Sequence, residues 1–344
     1  MTHKRLQAIF IQIPMLHLPF IKKRRSEMSL TIAVVGARGR LGHVVAQAAL
    51  AAGHSVIAIT RDGRLPQTLA GATARKADAL KRDELMAATR GADVIFNALN
   101  PLYPDWKTMC PVLAKNVVAA AKANGAHHLF AGNVYNYGRE IPPLAGPETP
   151  VHGSTRKGAI RIAMDERFER AARDEGVDTT TLRAGDFFGG PGRGSWFDLI
   201  IAAPLGKHKY VWPGRPDIPH AFAYLPDLAR AFVALAERHG ELKGFTVFTF
   251  AGHTLTGEEM GRHLDVATGK RLRRVSFSWL GLRAVGLFRP FMREVIELSY
   301  LWFTPHALDG TKFEAFVGGF EATPTSRAIA EAVRELKAEE KAAA

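Results

Sequence analysis

The strongest constraint on this chain is a glycine turn near its start. Leu30 to Val35 is a short apolar, β-branched run that breaks at Gly36 into Gly-Ala-Arg-Gly-Arg-Leu-Gly, ending at Gly42. An alanine-rich helical stretch, Val44 to Ala52, follows at once. A strand feeding a helix through Gly-x-x-Gly-x-x-Gly turns unpaired backbone N–H groups and the positive helix end toward a pyrophosphate. Glycine is required because a β-carbon would block the tight turn or the approach of the phosphates.

The chain has 344 residues, enough for a large core and one or two domains. Its 47% hydrophobic and 23% charged residues are ordinary for a globular protein, whereas the net charge of +13 is not. Apart from Lys22 to Arg25 the basic residues are scattered, and no helix-turn-helix, zinc or RNA-binding signature accompanies them. A phosphate-rich ligand explains the charge without nucleic acid as a partner. Cys110 is the only cysteine, which excludes disulfides within the chain and cysteine zinc sites and fits a reducing, cytoplasmic setting. No metal site is expected. No run of 18 or more apolar residues exists, so no membrane span is expected. Residues 1–28 read as a disordered or mis-started leader: Leu6 to Ile21 is broken by polar residues and prolines, and its basic cluster follows rather than precedes it. Met28 is an alternative start.

Further strands are predicted at Ser55–Thr60, Ala72–Ala77, Asp93–Asn97, His127–Ala131, Asp178–Leu182 and Phe245–Phe250. Helices are predicted at 81–90, 106–124, 156–175 and 256–268. This alternation implies an α/β protein with a doubly wound parallel sheet of the Rossmann type. Residues 29–190 form the nucleotide-binding domain, and residues 191–344 a smaller α+β substrate cap interwoven with late elements of the sheet. Residues 278–302 suit amphipathic helices, expected to pack over the substrate cleft with contact to a membrane as the alternative, and Thr323 to Ser326 cap a C-terminal helix.

Ligands in open sheets lie at the carboxyl ends of the strands. The dinucleotide site is therefore expected at Gly36, Arg38, Gly39, Arg40, Leu41 and Gly42, at Thr60, Arg61 and Asp78, and at Ala98, Leu99 and Asn100. An acid at the end of the second strand would hold the ribose of NAD. Thr60 and Arg61 stand there instead, and Arg38 reaches the same place, so NADP is placed ahead of NAD.

With Leu129 to Gly138, Thr181 to Gly189 and Tyr224 to Ala231 added to the glycine turn, residues 30–335 resemble the extended, epimerase-like branch of the short-chain dehydrogenase/reductases. The resemblance implies a tyrosine four residues before a lysine, and a serine or threonine after the fifth strand. Lys157 matches the lysine and is expected at the nicotinamide ribose. Gly153 occupies the tyrosine's place and Asn133 the serine's. The resemblance also extends the cofactor site to Ala184 and Gly185. Asn133 retains hydrogen-bonding capacity toward a carbonyl, and Tyr135 is the first candidate for a substitute proton donor, with Tyr103, Tyr137, His152 and His220 as others. Tyr103, Asp186, Phe187, Trp196 and His220 are expected in the substrate pocket, with Phe197, Trp212, Trp279 and Trp302 able to line it. The reading favoured is an NADP(H)-dependent oxidoreductase acting on a small carbonyl or enone, with a homodimer as a candidate assembly. An NADP-binding sensor with reduced catalysis and a sugar-nucleotide epimerase or dehydratase are the alternatives.

Overall fold

A computed structural model describes residues 29–343; the expected leader lies outside them. Seven strands carry the fold: β1 (Thr31–Val35), β2 (Ser55–Thr60), β3 (Thr73–Lys76), β4 (Val94–Asn97), β5 (His127–Asn133), β6 (Thr179–Ala184) and β7 (Phe245–Thr249). They pair in the order 7-6-5-4-1-2-3, every pair parallel. Each strand lies within a few residues of its expected bounds; β1, β2 and β4 are nearly continuous apolar runs, whereas β3, at the edge, is Thr-Ala-Arg-Lys and largely exposed.

Successive side chains leave a strand on opposite faces. Ala33, Val35, Ile95 and Phe130 pack with α2 (Arg82–Ala88), α3 (Trp106–Asn124) and α4 (Arg156–Glu175). Ile32, Val34, Val94 and Phe96 pack with α1 (Arg40–Ala51) and α5 (Leu225–Glu237). The sheet is thus wound on both faces. Phe96, Phe130 and Phe168 are fully buried, each contributing roughly 2 kcal/mol of transfer free energy.

The cap holds a three-stranded sheet of His253–Leu255, His220–Tyr224 and Asp186–Phe188, in that order, and a parallel pair of Lys209–Trp212 with Arg273–Ser276. Helices α6 (Gly257–Thr268), α7 (Trp279–Gly286), α8 (Pro290–Glu297), α9 (Thr311–Val317) and α10 (Thr325–Ala343) complete it. β7 lies between cap segments in sequence yet belongs to the main sheet, so cap and sheet are interleaved. The C-terminal helix departs from expectation at its start. Thr323 spends its amide and hydroxyl on Asp227 of α5, at 2.7 and 2.8 Å, and the helix begins two residues later. No helix among the described residues is long and apolar enough to cross a membrane. Among the same residues no cluster of His, Cys, Asp and Glu is placed to hold a metal ion.

Candidate active site

At the end of β1 the chain turns through Gly36 at φ +86°, a left-handed conformation that glycine adopts without strain. Gly36 and Ala37 donate to the Ile59 carbonyl at 3.2 and 3.3 Å, and Gly39 donates back to the Gly36 carbonyl at 2.9 Å. A β-carbon on Gly42 would overlap the Gly36 carbonyl, so α1 can approach the turn only with glycine there. The intrahelical ladder of α1 begins at His43 N–H, bonded to Gly39 O at 2.8 Å. The amides of Arg40, Leu41 and Gly42 precede it, and no side chain caps the helix. These spare donors at a positive helix end fit a pyrophosphate.

Past the end of β2, beside the glycine turn, Arg61 is exposed. Arg38 reaches Asp62 at 2.7 Å, but both side chains are about half exposed, and solvent screens such a pair. Arg38 can therefore turn to a phosphate at little cost. Asp62 is held by the Arg64 amide and the Thr60 hydroxyl; the Arg64 hydrogen bond leads in keeping its carboxyl below the usual range. Asp78 accepts from the Leu80 amide at 3.0 Å in the turn before α2.

From the glycine turn a cavity of about 490 Å³ runs across the ends of β4, β5 and β6 into the cap. Of the expected cofactor residues, Gly39, Arg40, Leu41, Ala98, Leu99, Asn100, Ala184 and Gly185 line it. Of the expected catalytic and substrate residues, Asn133, Tyr135, Tyr103, Asp186, Phe187 and Trp196 do. Its far wall is apolar, built by Leu199, Ile200, Phe277, Leu282, Met292 and Val295.

Several expected residues stand elsewhere. Lys157 does not line the cavity; its ammonium lies 2.5 Å from Glu294 and 2.9 Å from Glu297, both on α8, and the side chain is 1% exposed. Position 153 is also turned away, since a β-carbon there would meet Ala159 and Ile162 on the helix itself. The Tyr-x-x-x-Lys spacing is thus lost in geometry as well as in residue type. His152 is exposed, and the Tyr137 hydroxyl donates to the Gly146 carbonyl at 2.9 Å. His220 lies behind the wall, stacked on Trp302 with ring centres 4.0 Å apart and Nε2 2.9 Å from Asp186. Phe197, Trp212 and Trp302 are buried in the cap core and Trp279 packs against it, so Trp196 alone of these aromatics reaches the cavity. Arg40 lines the cavity, but its guanidinium binds Asp198 at 2.7 Å and the Gly189 and Pro191 carbonyls. It fastens the glycine turn to the cap.

Two polar features converge on the cavity. The Tyr135 and Tyr103 hydroxyls are 3.0 Å apart. Burial, reinforced by the neighbouring Tyr103, pushes Tyr135 well above an ordinary phenol, so it stays protonated. Asn133 accepts from the Tyr135 amide through Oδ1, which leaves its NH2 group available.

The second feature, Arg161, escaped the sequence reading. It lies one turn beyond Lys157 on the buried face of α4, which carries Lys157, Arg161 and Asp165 at four-residue spacing. Charges repeating on the buried stripe of a helix were the available signal. Arg161 is 5% exposed, stacks over Trp106 at 4.5 Å and donates one hydrogen bond, 3.1 Å long, to Asn100. Its Nε has no partner. The nearby Asp165 is already paired with Arg183 at 2.8 Å and with Asn136. A buried guanidinium without its own carboxylate is costly unless a ligand completes it.

Residues 36–197 match a family model described as NAD(P)H-binding. No curated protein matches the sequence. Solved structures do match in fold. A UDP-glucose 4-epimerase from Bifidobacterium longum in complex with NAD+ and UDP is 15% identical, covering 90% of this chain and 99% of its own, with a TM-score of 0.71. A nucleoside-diphosphate-sugar epimerase from Pseudomonas aeruginosa is 20% identical over 91% and 99%, with a TM-score of 0.67. A UDP-N-acetylglucosamine 4-epimerase from Bacillus cereus is 16% identical over 90% and 100%, with a TM-score of 0.68. Residues 36–197 thus resemble an NAD(P)H-binding domain, in a chain that shares the fold of these nucleotide-sugar epimerases.

Proposed function

We propose that this protein is an NADP(H)-dependent reductase of an apolar carbonyl or enone. The observation that carries the reading is the cavity. It joins the dinucleotide turn to an aliphatic and aromatic wall, with the Tyr135–Tyr103 pair, Asn133 and Arg161 at its polar end. Bound along the strand ends, the cofactor supplies a hydride to the substrate carbon. Arg161 and the Asn133 NH2 group hold the negative charge that develops on the substrate oxygen. Tyr135 gives that oxygen its proton, the phenolate so formed accepts a hydrogen bond from the Tyr103 hydroxyl, and water entering after product release returns the proton to Tyr135.

A sugar-nucleotide substrate suits the cavity less well. Its diphosphate needs several free cations, and of the two arginines lining the cavity Arg40 is already bound by Asp198 and two carbonyls, which leaves Arg161 alone. The sensor reading draws on the missing Tyr-x-x-x-Lys pair, and turnover separates it from the reductase. Stopped-flow absorbance of NADPH, with aldehydes, ketones and enones bearing apolar tails, is expected to show oxidation with at least one of them. It should show none with UDP-glucose. Tight NADPH binding with no oxidation across the panel favours the sensor, and interconversion of UDP-glucose favours the epimerase.

The preference for NADP rests on Arg61 and Arg38 beside Thr60. Arg61→Asp is expected to weaken NADPH on the order of tenfold to a hundredfold, the worth of a charge-assisted contact to phosphate, and to leave NADH nearly unchanged. Calorimetry with both nucleotides checks this; equal losses would remove Arg61 from the 2′-phosphate.

A further inference from the structure

We propose that the hairpin of α7 and α8 docks this protein on an anionic lipid surface, with Leu280, Leu287 and Phe288 entering the bilayer interface and Arg283, Arg289 and Arg293 meeting the headgroups. From Lys270 to Arg293 the chain carries seven lysines and arginines and no aspartate or glutamate. The acids of α8 that follow, Glu294 and Glu297, are turned inward onto Lys157 and Arg156. The outward charge of the hairpin is therefore wholly positive.

Its outward apolar surface is equally unusual. Leu280, Leu287 and Phe288 are 78%, 75% and 84% exposed. Positions 280, 283, 284 and 287 form one helical stripe, and that stripe faces solvent with leucine at both ends and arginine between. In water such a stripe gains nothing from its leucines, whereas at a bilayer interface the leucines can bury while the long arginine side chain extends to the headgroups. The opposite side of the hairpin carries Leu282, Met292 and Val295 into the cavity wall.

Charge selects the occupant. A second copy related by a two-fold axis would set arginine against arginine. Nucleic acid would neutralise the arginines and leave Phe288 and both leucines in water. An anionic bilayer satisfies both kinds of side chain at once. Docking there would bring the apolar cavity wall against the phase into which an apolar substrate partitions. That last step rests on the reductase reading; the docking itself stands on exposure and charge.

The test is co-sedimentation of the full chain with vesicles of phosphatidylcholine alone or mixed with phosphatidylglycerol. Association is expected with the mixed vesicles only, and to fall as salt rises. Leu287→Ser with Phe288→Ser, and separately Arg283→Ser with Arg289→Ser, should each weaken it on the order of tenfold. These side chains are exposed, so thermal melting should not change. In a Phe288→Trp variant, brominated lipid should quench the added fluorescence in mixed vesicles. Absence of association, or equal association with neutral vesicles, would overturn the proposal. So would binding that survives both paired substitutions, which would assign it to another part of the chain such as residues 1–28. Lipid-free self-association abolished by Leu287→Ser with Phe288→Ser would make a second copy the occupant and overturn it too. NADPH oxidation is read on the same preparations, so loss of the reductase reading is seen separately.

Discussion

Lys157→Ala is expected to lower the unfolding free energy by about 2 kcal/mol and to cut turnover while leaving dinucleotide affinity unchanged. Removing one partner of a fully buried ion pair costs about 3–5 kcal/mol. The lower figure applies because Glu294 and Glu297 keep some solvent and Arg156 still reaches both, at 3.2 and 3.3 Å. Turnover falls because Lys157 ties α8 to α4, and α8 supplies Met292 and Val295 to the cavity wall. The family role and this anchoring role separate in one titration: loss of a lysine on the nicotinamide ribose would cost cofactor affinity, loss of an anchor of α8 would not. The anchor is also acid-sensitive. Burial by itself raises Glu297, but the hydrogen bonds from the Lys157 ammonium and amide outweigh it and hold the carboxyl below its ordinary value. Its contribution is complete at neutral pH and is lost as pH falls through that lowered value. In Lys157→Ala, thermal unfolding followed against pH should lose this part of the acid dependence.

Arg161→Gln is expected to reduce kcat on the order of a hundredfold, the usual cost of deleting one donor to a developing oxyanion. NADPH affinity should not change. The melting temperature should move little, because loss of the stacking on Trp106 is offset by relief of an uncompensated buried charge. Arg161→Lys should recover part of the rate, since it restores the charge without the planar fork. A variant with full turnover and lowered stability would make Arg161 a packing residue. Reduced NADPH affinity with an unchanged rate from bound cofactor would move it to the nicotinamide ribose.

The parts of the fold that were legible in the sequence are those written in short-range patterns. Buried parallel strands appear as β-branched runs, helices end at glycines such as Gly125, and the Gly36–Gly42 turn depends on the clash of residues six apart. Parallel order then brings the ends of β1, β4, β5 and β6 together, which is why Leu99, expected from its strand end, lines the same cavity as Asn133, Tyr135 and Gly185, expected from the resemblance.

What spacing could not supply was the partner of a long charged side chain. Lys157, in the first turn of α4, reads as a cofactor ligand by the family resemblance, yet the carboxylates that claim it come from 137 and 140 residues away. Arg161, four residues on, meets Asn100 from 61 residues away and no carboxylate of its own. The sequence by itself determined a doubly wound sheet and a glycine turn with spare amides at a helix start, because backbone sterics and apolar periodicity act within a few residues. Only the tertiary structure decided which cation faces the cavity, because a buried charge settles wherever distant elements deliver, or withhold, its counter-charge.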